Sequence, residues 1–182
     1  MPYRPAFRES SRRMALCALM AALSVVVLSA GSLIPMATFA CPMLAMFLLI
    51  PALDEYGAKP ALLQYAAAAI LALLLAPDKE LALFFVFLGY YPVLRPYLDR
   101  IPHLLPRSLV KCGLFTAAML VMYLLILQLL RLQAVVEEFA AYSAAAVVGL
   151  LALGNVTFLV LDRALVQMTR IYQLRLRRRL FR

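Results

Sequence analysis

Residues 14–53 read MALCALMAALSVVVLSAGSLIPMATFACPMLAMFLLIPAL and contain no charged side chain. At a helical rise of about 1.5 Å per residue, this stretch would extend for about 60 Å. The hydrocarbon layer of a bilayer is ~30 Å thick, so a stretch of this length has to turn back once if it enters a membrane. Gly31-Ser32 and Pro35 supply the turn signal. We therefore predict two crossings, over residues 14–34 and 36–53.

Prolines and charges mark the limits of the second crossing and of four later ones. We expect a kink at Pro42 and an end near Pro51, because proline interrupts the hydrogen-bond ladder of a helix. The fourth crossing is the weakest, since only residues 81–94 are free of charge, Pro92 and Pro96 interrupt the helical ladder, and Arg95 has to extend towards the headgroups. The later crossings are predicted over residues 60–76, 81–98, 109–130 and 139–161.

The composition agrees with a membrane domain. The 182 residues are 66% hydrophobic and 15% charged, and the mean hydropathy is +0.92. A soluble domain carries about a quarter charged residues, so a soluble fold could not bury this much apolar surface. The net charge of +9 comes from basic residues at the ends of apolar runs rather than from a basic face interleaved with aromatics. That distribution indicates contact with anionic lipid headgroups and argues against nucleic-acid binding.

The basic residues also predict the orientation, because lysine and arginine in short loops remain on the cytoplasmic side. Six crossings place 16 of the 18 on the side of both termini and leave only Lys79 and Arg131 outside. Omitting the fourth crossing would carry the basic C-terminal segment outside, against that rule. We therefore expect an all-α bundle of six transmembrane helices in a bacterial cell membrane, with a basic cytoplasmic arm (1–13), a membrane domain (14–168) and a basic cytoplasmic tail (169–182).

Residues able to carry out catalysis are scarce in the predicted crossings. We find no HExxH pattern, no glycine-rich phosphate loop, and no serine or cysteine with a plausible histidine partner. The three cysteines have no paired CxxC spacing, and His103 alone cannot build a metal site. We therefore expect no enzyme, cofactor or metal. Asp162, at the inner end of the sixth crossing, either pairs with the adjacent Arg163 or faces headgroups, and the sequence leaves both alternatives open.

Neutral polar residues within the crossings remain as candidates for ligand binding. They concentrate on the fourth to sixth crossings, where they either tie helices together through hydrogen bonds or line a pocket for a small molecule. Tyrosines near a crossing end also suit the aromatic belt of the membrane interface. The substrate-binding candidates are Tyr90, Tyr123, Gln128, Tyr142, Ser143 and Asn155.

Small residues on the first predicted helix form a second feature. Ala15, Ala18 and Ala22 lie at helical spacing, and Ala18-xxx-Ala22 would give a flat face that allows another helix to approach closely. Together with the start RRMALCALMAA (12–22), the predicted six helices and the basic tail, this resembles the substrate-binding S components of energy-coupling factor (ECF) transporters. In that family an alanine-x-x-x-alanine face on the first helix docks onto a transmembrane T subunit, and Ala18 and Ala22 match it.

The resemblance implies a function and a set of partners. The chain would capture a vitamin-like small molecule from outside, and a T-type membrane subunit with two ATPase subunits would energise its import. An alternative is a non-transport scaffold like the small cell-shape proteins of the rod complex, which share size and helix number. For a scaffold, the polar groups would tie helices together and the basic loops would be docking surfaces.

Overall fold

The computed structural model of the chain describes residues 6–33, 40–125 and 144–176. All regular elements within these ranges are helices, and none of the described residues forms a strand. Among the described residues, five helical segments are long and apolar enough to cross a membrane: Ser10–Gly31, Ala58–Leu75, Lys79–Leu98, Leu105–Leu125 and Val148–Leu174. The predicted all-α, multi-pass membrane fold is therefore confirmed.

Eight α-helices follow one another along the described residues, and a short π-helical segment (Tyr172–Leu176) follows the last of them. They are α1 (Ala6–Gly31), α2 (Ala40–Phe47), α3 (Ile50–Tyr56), α4 (Ala58–Leu75), α5 (Lys79–Leu88), α6 (Tyr91–Leu98), α7 (Leu104–Leu125) and α8 (Ala144–Ile171).

The chain divides into two compact units. The first comprises residues up to Arg95 together with the segment from Gln167 onward, and the second comprises Pro96–Val166. In the first unit, α1 packs most extensively on α4 and α2, while α3 packs on α4. The core of this unit contains the fully buried side chains of Leu28, Met46, Leu49, Leu81, Phe85, Leu88 and Tyr91.

Helices α1 and α4 run in the same direction. One groove is lined near the start of both helices by Arg13 and Lys59, and further along both by Ala21 and Ala67. At the far end, the backbone N–H of Asp78 donates to Ser32 Oγ over 3.3 Å. Because α1 and α4 are parallel, the chain between them has to return across the thickness of the unit, as the predicted second crossing requires.

That return is made by two short helices instead of one kinked helix. The break lies at Leu48-Leu49, whose backbone N–H groups donate to the carbonyls three residues earlier. Pro51 lies in the first turn of α3 and has no N–H to offer the carbonyl four residues before it. The expectation of a kink at Pro42 was wrong, since Pro42 lies in the first turn of α2, where a proline is tolerated.

The Gln64 side chain of α4 forms a hydrogen bond with the backbone at this break. Its Nε2 donates to the Leu48 carbonyl over 3.0 Å, and the Gln64 side chain is buried. A carbonyl freed by a broken helix has no water to bind inside a bilayer and is costly unless another protein group donates to it. Gln64 therefore stabilises the interruption between α2 and α3.

Glycines permit a close approach and a reversal in the first unit. A Cβ added to Gly31 would lie 2.7 Å from Cys41 Cβ, so the end of α1 can approach the start of α2 only without a side chain. Gly57 joins α3 to α4 with a φ of 83°, a conformation that other residues rarely adopt. Gly31 therefore allows α1 to meet α2, and Gly57 allows α3 to turn into α4.

The fourth crossing is divided at Gly89-Tyr90 into α5 and α6. The division precedes Pro92, which removes one N–H from the ladder and fits into the first turn of α6. Asp78 caps the start of α5 by accepting from the backbone N–H groups of Glu80 and Leu81 over 3.0 and 3.4 Å. Lys79 Nζ donates to the Leu73 and Ala76 carbonyls at the preceding helix end.

In the second unit, α7 and α8 are antiparallel neighbours, because residues further along α7 meet residues earlier in α8. Three side-chain contacts connect the two helices: Lys111 with Asp162, Phe115 with Phe158, and Thr116 with Asn155.

Candidate functional site

Among the predicted substrate-binding residues, Asn155 has a side-chain amide whose hydrogen bonds are only partly satisfied. Its Nδ2 donates to Thr116 Oγ1 over 3.1 Å and to the Leu151 carbonyl over 2.9 Å, which uses both amide hydrogens. Its Oδ1 is buried and has no hydrogen-bond partner among the described residues. A buried acceptor without a donor is costly, and a ligand hydroxyl or N–H group placed there would remove that cost.

An aromatic layer lies next to this amide, towards the C-terminal end of α8. The rings of Phe115 and Phe158 stack with their centroids 4.9 Å apart and an interplanar angle of 25°. Gly154 leaves space for the Phe115 ring, since a Cβ there would lie 3.2 Å from that ring. Asn155 therefore combines one polar acceptor with an apolar aromatic surface, as small-molecule sites commonly do.

An ion cluster centred on the buried Lys111 lies beyond the aromatic layer. Lys111 Nζ of α7 donates over 2.8 Å both to Asp162 Oδ2 of α8 and to Asp99 Oδ1 in the turn after α6. Only 4% of the Lys111 side chain is exposed, although it lies within a segment long and apolar enough to cross the membrane. Arg107 Nε lies 3.9 Å from Asp99 Oδ1.

The cluster balances its own charge, with two cations and two carboxylates. A charged side chain inside the bilayer costs about 2.5 to 3.5 kcal/mol on insertion scales, so ionisable residues there are usually paired. Since Lys111 pairs both with Asp162 of α8 and with Asp99 of the α6–α7 turn, the cluster holds α7, α8 and that turn in one arrangement. The paired geometry fits a structural role for the cluster.

Sequence reasoning missed this cluster. Asp162 accepts from Lys111 in the structure, whereas we considered only Arg163 or headgroups as its partners; the Arg163 side chain is exposed. A signal was present, because Lys111 interrupts an apolar run and a lysine at such depth requires a partner. Asp162 lies at a similar depth in the membrane to Lys111, on the next predicted crossing, which runs in the opposite direction.

The other predicted substrate-binding residues are distributed over both units. Tyr123 lies on α7, seven residues and about two turns beyond Thr116, on the same side of the helix. Tyr90 lies in the first unit, where its ring meets the Tyr65 ring edge-on at 6.1 Å. The Tyr65 hydroxyl donates to the Val86 carbonyl. Gln128, Tyr142 and Ser143 lie outside the described residues.

The predicted docking residues lie on one side of α1. Ala15, Ala18 and Ala22 are exposed, whereas Ala21 and Val25 are buried against the rest of the first unit. Spacings of three and four residues place the three exposed alanines on one helix face. This flat face is open to lipid or to another membrane helix.

The comparisons with other proteins identify no relative, since no protein-family model, curated protein or solved structure matches the chain.

Proposed function

We propose that this chain is the membrane-embedded substrate-binding subunit of an ECF-type importer in a bacterial cell membrane. It would bind a vitamin-like small molecule in the second unit. A T-type membrane subunit and two ATPase subunits would supply the energy for import.

The observation that carries this function is the environment of Asn155. Its Oδ1 is a buried acceptor without a described partner, and it lies near the middle of α8 beside Thr116. Both amide hydrogens are already bound within the protein, which fixes the orientation of the amide. A fixed acceptor next to stacked aromatic rings suits a small molecule that has an aromatic or apolar body and a hydroxyl or N–H donor.

A second observation concerns the partner. Ala15, Ala18 and Ala22 form an exposed flat face on a helix that is apolar enough to cross the membrane. Small residues allow helix backbones to approach closely within lipid, where van der Waals packing contributes much of the association energy. Such a face suits the helices of a T subunit, and the helix would need no rearrangement of its own side chains to receive them.

A membrane scaffold of the rod-complex type is the second candidate, and a specific observation favours it. Gln64 ties α4 to the break after α2, and Asn155 ties α8 to α7. Polar groups that only join helices are expected of a scaffold. The two candidates differ in what they predict for Asn155 Oδ1, because a scaffold has no ligand to donate to it.

Native mass spectrometry tests the proposed function. The chain would be purified in mild detergent from its natural cells, with all partners at native level. An importer subunit should carry a small molecule and co-purify with a T subunit and two ATPase subunits. Recovery of the bare chain, without small molecule or ATPase, would contradict the importer and favour the scaffold.

A further inference from the structure

A groove of about 660 Å³ opens on the first unit between α1 and the start of α4. Its mouth carries two exposed cations, Arg13 at the start of the α1 crossing segment and Lys59 at the start of α4. Tyr56, at the end of α3, adds a side chain with a hydroxyl donor to the same lining. All three side chains can donate hydrogen bonds to a phosphate, and the two cations also attract its charge.

Apart from Gln64, the rest of the groove is apolar. Its walls are formed by Met14, Cys17, Ala18, Ala21, Leu63 and Ala67 together with Ala58 and Pro60. From Pro60 to Ala67 the groove extends about 10 Å along α4, at the helical rise of 1.5 Å per residue. This length suits the upper part of an acyl chain, which can enter because the groove is open on one side.

The charged and polar groups of the groove also suit a molecule that has a phosphate and an acyl chain. None of the described residues that line it is acidic. Asp54, two residues before Tyr56 of the lining, accepts from Gln173 Nε2 over 2.6 Å. Gln64, also in the lining, donates to the Leu48 carbonyl and so belongs to the helix packing. The groove therefore offers a cationic mouth and an apolar interior, at the position where two parallel crossing segments begin.

We infer that this groove is a binding site for an anionic phospholipid, with the phosphate held by Arg13 and Lys59 and one acyl chain lying along α1 and α4. The two cations and the apolar walls favour a lipid over a soluble phosphate, because the walls would remain uncovered by the phosphate alone. This site belongs to the first unit and goes beyond the proposed ligand site near Asn155.

The test uses the full-length chain in mild detergent, titrated with palmitoyl-oleoyl phosphatidylglycerol and followed by native mass spectrometry. Replacing both mouth cations, as Arg13→Gln with Lys59→Gln, should weaken binding about tenfold, because each basic residue near an anionic headgroup contributes substantially to lipid attraction. The matched control is Arg163→Gln with Arg170→Gln, which also removes two exposed cations but lies outside the groove. This control should bind as the wild type does.

A second pair of variants tests the acyl chain. Ala67→Phe should fill the groove and reduce lipid binding, whereas Ala66→Phe, at an exposed neighbouring position outside the lining, should not. These variants keep the charge unchanged, and thermal unfolding in detergent checks that each is folded. None of the test substitutions lies at Ala15, Ala18 or Ala22, so their effects are separable from loss of T-subunit docking.

Two comparisons distinguish the source of the phosphate. Palmitoyl-oleoyl phosphatidylcholine, which has no net charge, should bind at least several-fold more weakly than phosphatidylglycerol, and inorganic phosphate should not displace the bound lipid at equal concentration. Equal binding of the two lipids would overturn the site. So would displacement by inorganic phosphate, or wild-type lipid binding by both Arg13→Gln/Lys59→Gln and Ala67→Phe.

Discussion

The ammonium of Lys111 lies 2.8 Å from Asp162 Oδ2, so a lysine within α7 and an aspartate within α8 are joined inside two apolar helices. Asp99 accepts from the same ammonium at the same distance. One buried cation therefore holds two carboxylates from different parts of the second unit. Loss of that cation would leave the two carboxylates close together with only the Arg107 cation of the cluster, which lies 3.9 Å from Asp99 Oδ1.

Replacing Lys111 should destabilise the protein strongly. Lys111→Met keeps an unbranched side chain of similar length but removes the charge, and breaking a buried ion pair costs about 3 to 5 kcal/mol. Thermal unfolding in mild detergent would measure the loss. Arg163→Gln is the control, since its side chain is exposed, and it should change stability by about 0.5 kcal/mol or less. A Lys111→Met protein as stable as the wild type would mean that the cluster contributes no net stability.

Gln64 provides a second stability test in the first unit. Gln64→Leu keeps much of the volume but leaves the Leu48 carbonyl without its 3.0 Å donor, at a cost of about 1 to 2 kcal/mol. The change in unfolding temperature should exceed that of Gln167→Leu, which replaces an exposed glutamine in the same way. Equal effects of the two substitutions would show that the interruption between α2 and α3 does not depend on Gln64.

Part of this architecture could be predicted from the sequence. Apolar runs of sufficient length, ended by residues such as Pro77-Asp78-Lys79, predicted the all-helical membrane fold. The break at Leu48-Leu49 could not be located, because it depends on Gln64 of another helix, and Pro42 offered an equally strong local signal. Prolines in the sequence indicate where a helix can bend, but contacts with other helices determine which of these bends is stabilised.

The candidate site was predicted less completely. Asn155 was selected as a polar residue at depth, but its unsatisfied Oδ1 depends on how Thr116 and the Leu151 carbonyl use its amide hydrogens. The pairing of Lys111 with Asp162 depends on the relative depth of two helices that lie 51 residues apart in sequence at these positions. Neither relationship follows from spacing along one helix.

The proposed docking face of α1 predicts that larger side chains there will cause a specific loss of assembly. Ala22→Leu, alone or with Ala18→Leu, should block co-purification of the T subunit and the ATPase subunits, because larger side chains prevent close helix approach. Ala22 lies outside the lipid groove, so the single variant separates docking from lipid binding. Ligand retention should be unchanged. Ala66→Leu on α4 is the control, and an intact complex in the Ala18→Leu/Ala22→Leu protein would remove this face from the account.

The proposed ligand site near Asn155 predicts the converse result, a loss of ligand retention with assembly intact. Asn155→Leu and Tyr123→Ala should each reduce retention of the co-purifying small molecule about tenfold, because a lost hydrogen bond or aromatic contact is worth about 1 to 1.5 kcal/mol. The same result is expected for Gln128→Ala and Tyr142→Ala, which test the predicted residues outside the described ranges. Native mass spectrometry gives the retained fraction, and co-purification of the ATPase subunits should persist. Wild-type retention in all four variants would place the pocket elsewhere.

We expect α1 and α4 to cross the membrane in the same direction, with α2 and α3 returning between them. Single cysteines at Ser10, Lys59 and Pro77, in a chain whose native cysteines are replaced by alanine, would be labelled with a membrane-impermeant maleimide in intact cells and in inverted vesicles. We predict labelling of the first two positions only in inverted vesicles and of the third only in intact cells. Labelling of Ser10→Cys and Lys59→Cys from opposite sides, or of Lys59→Cys and Pro77→Cys from the same side, would contradict the account.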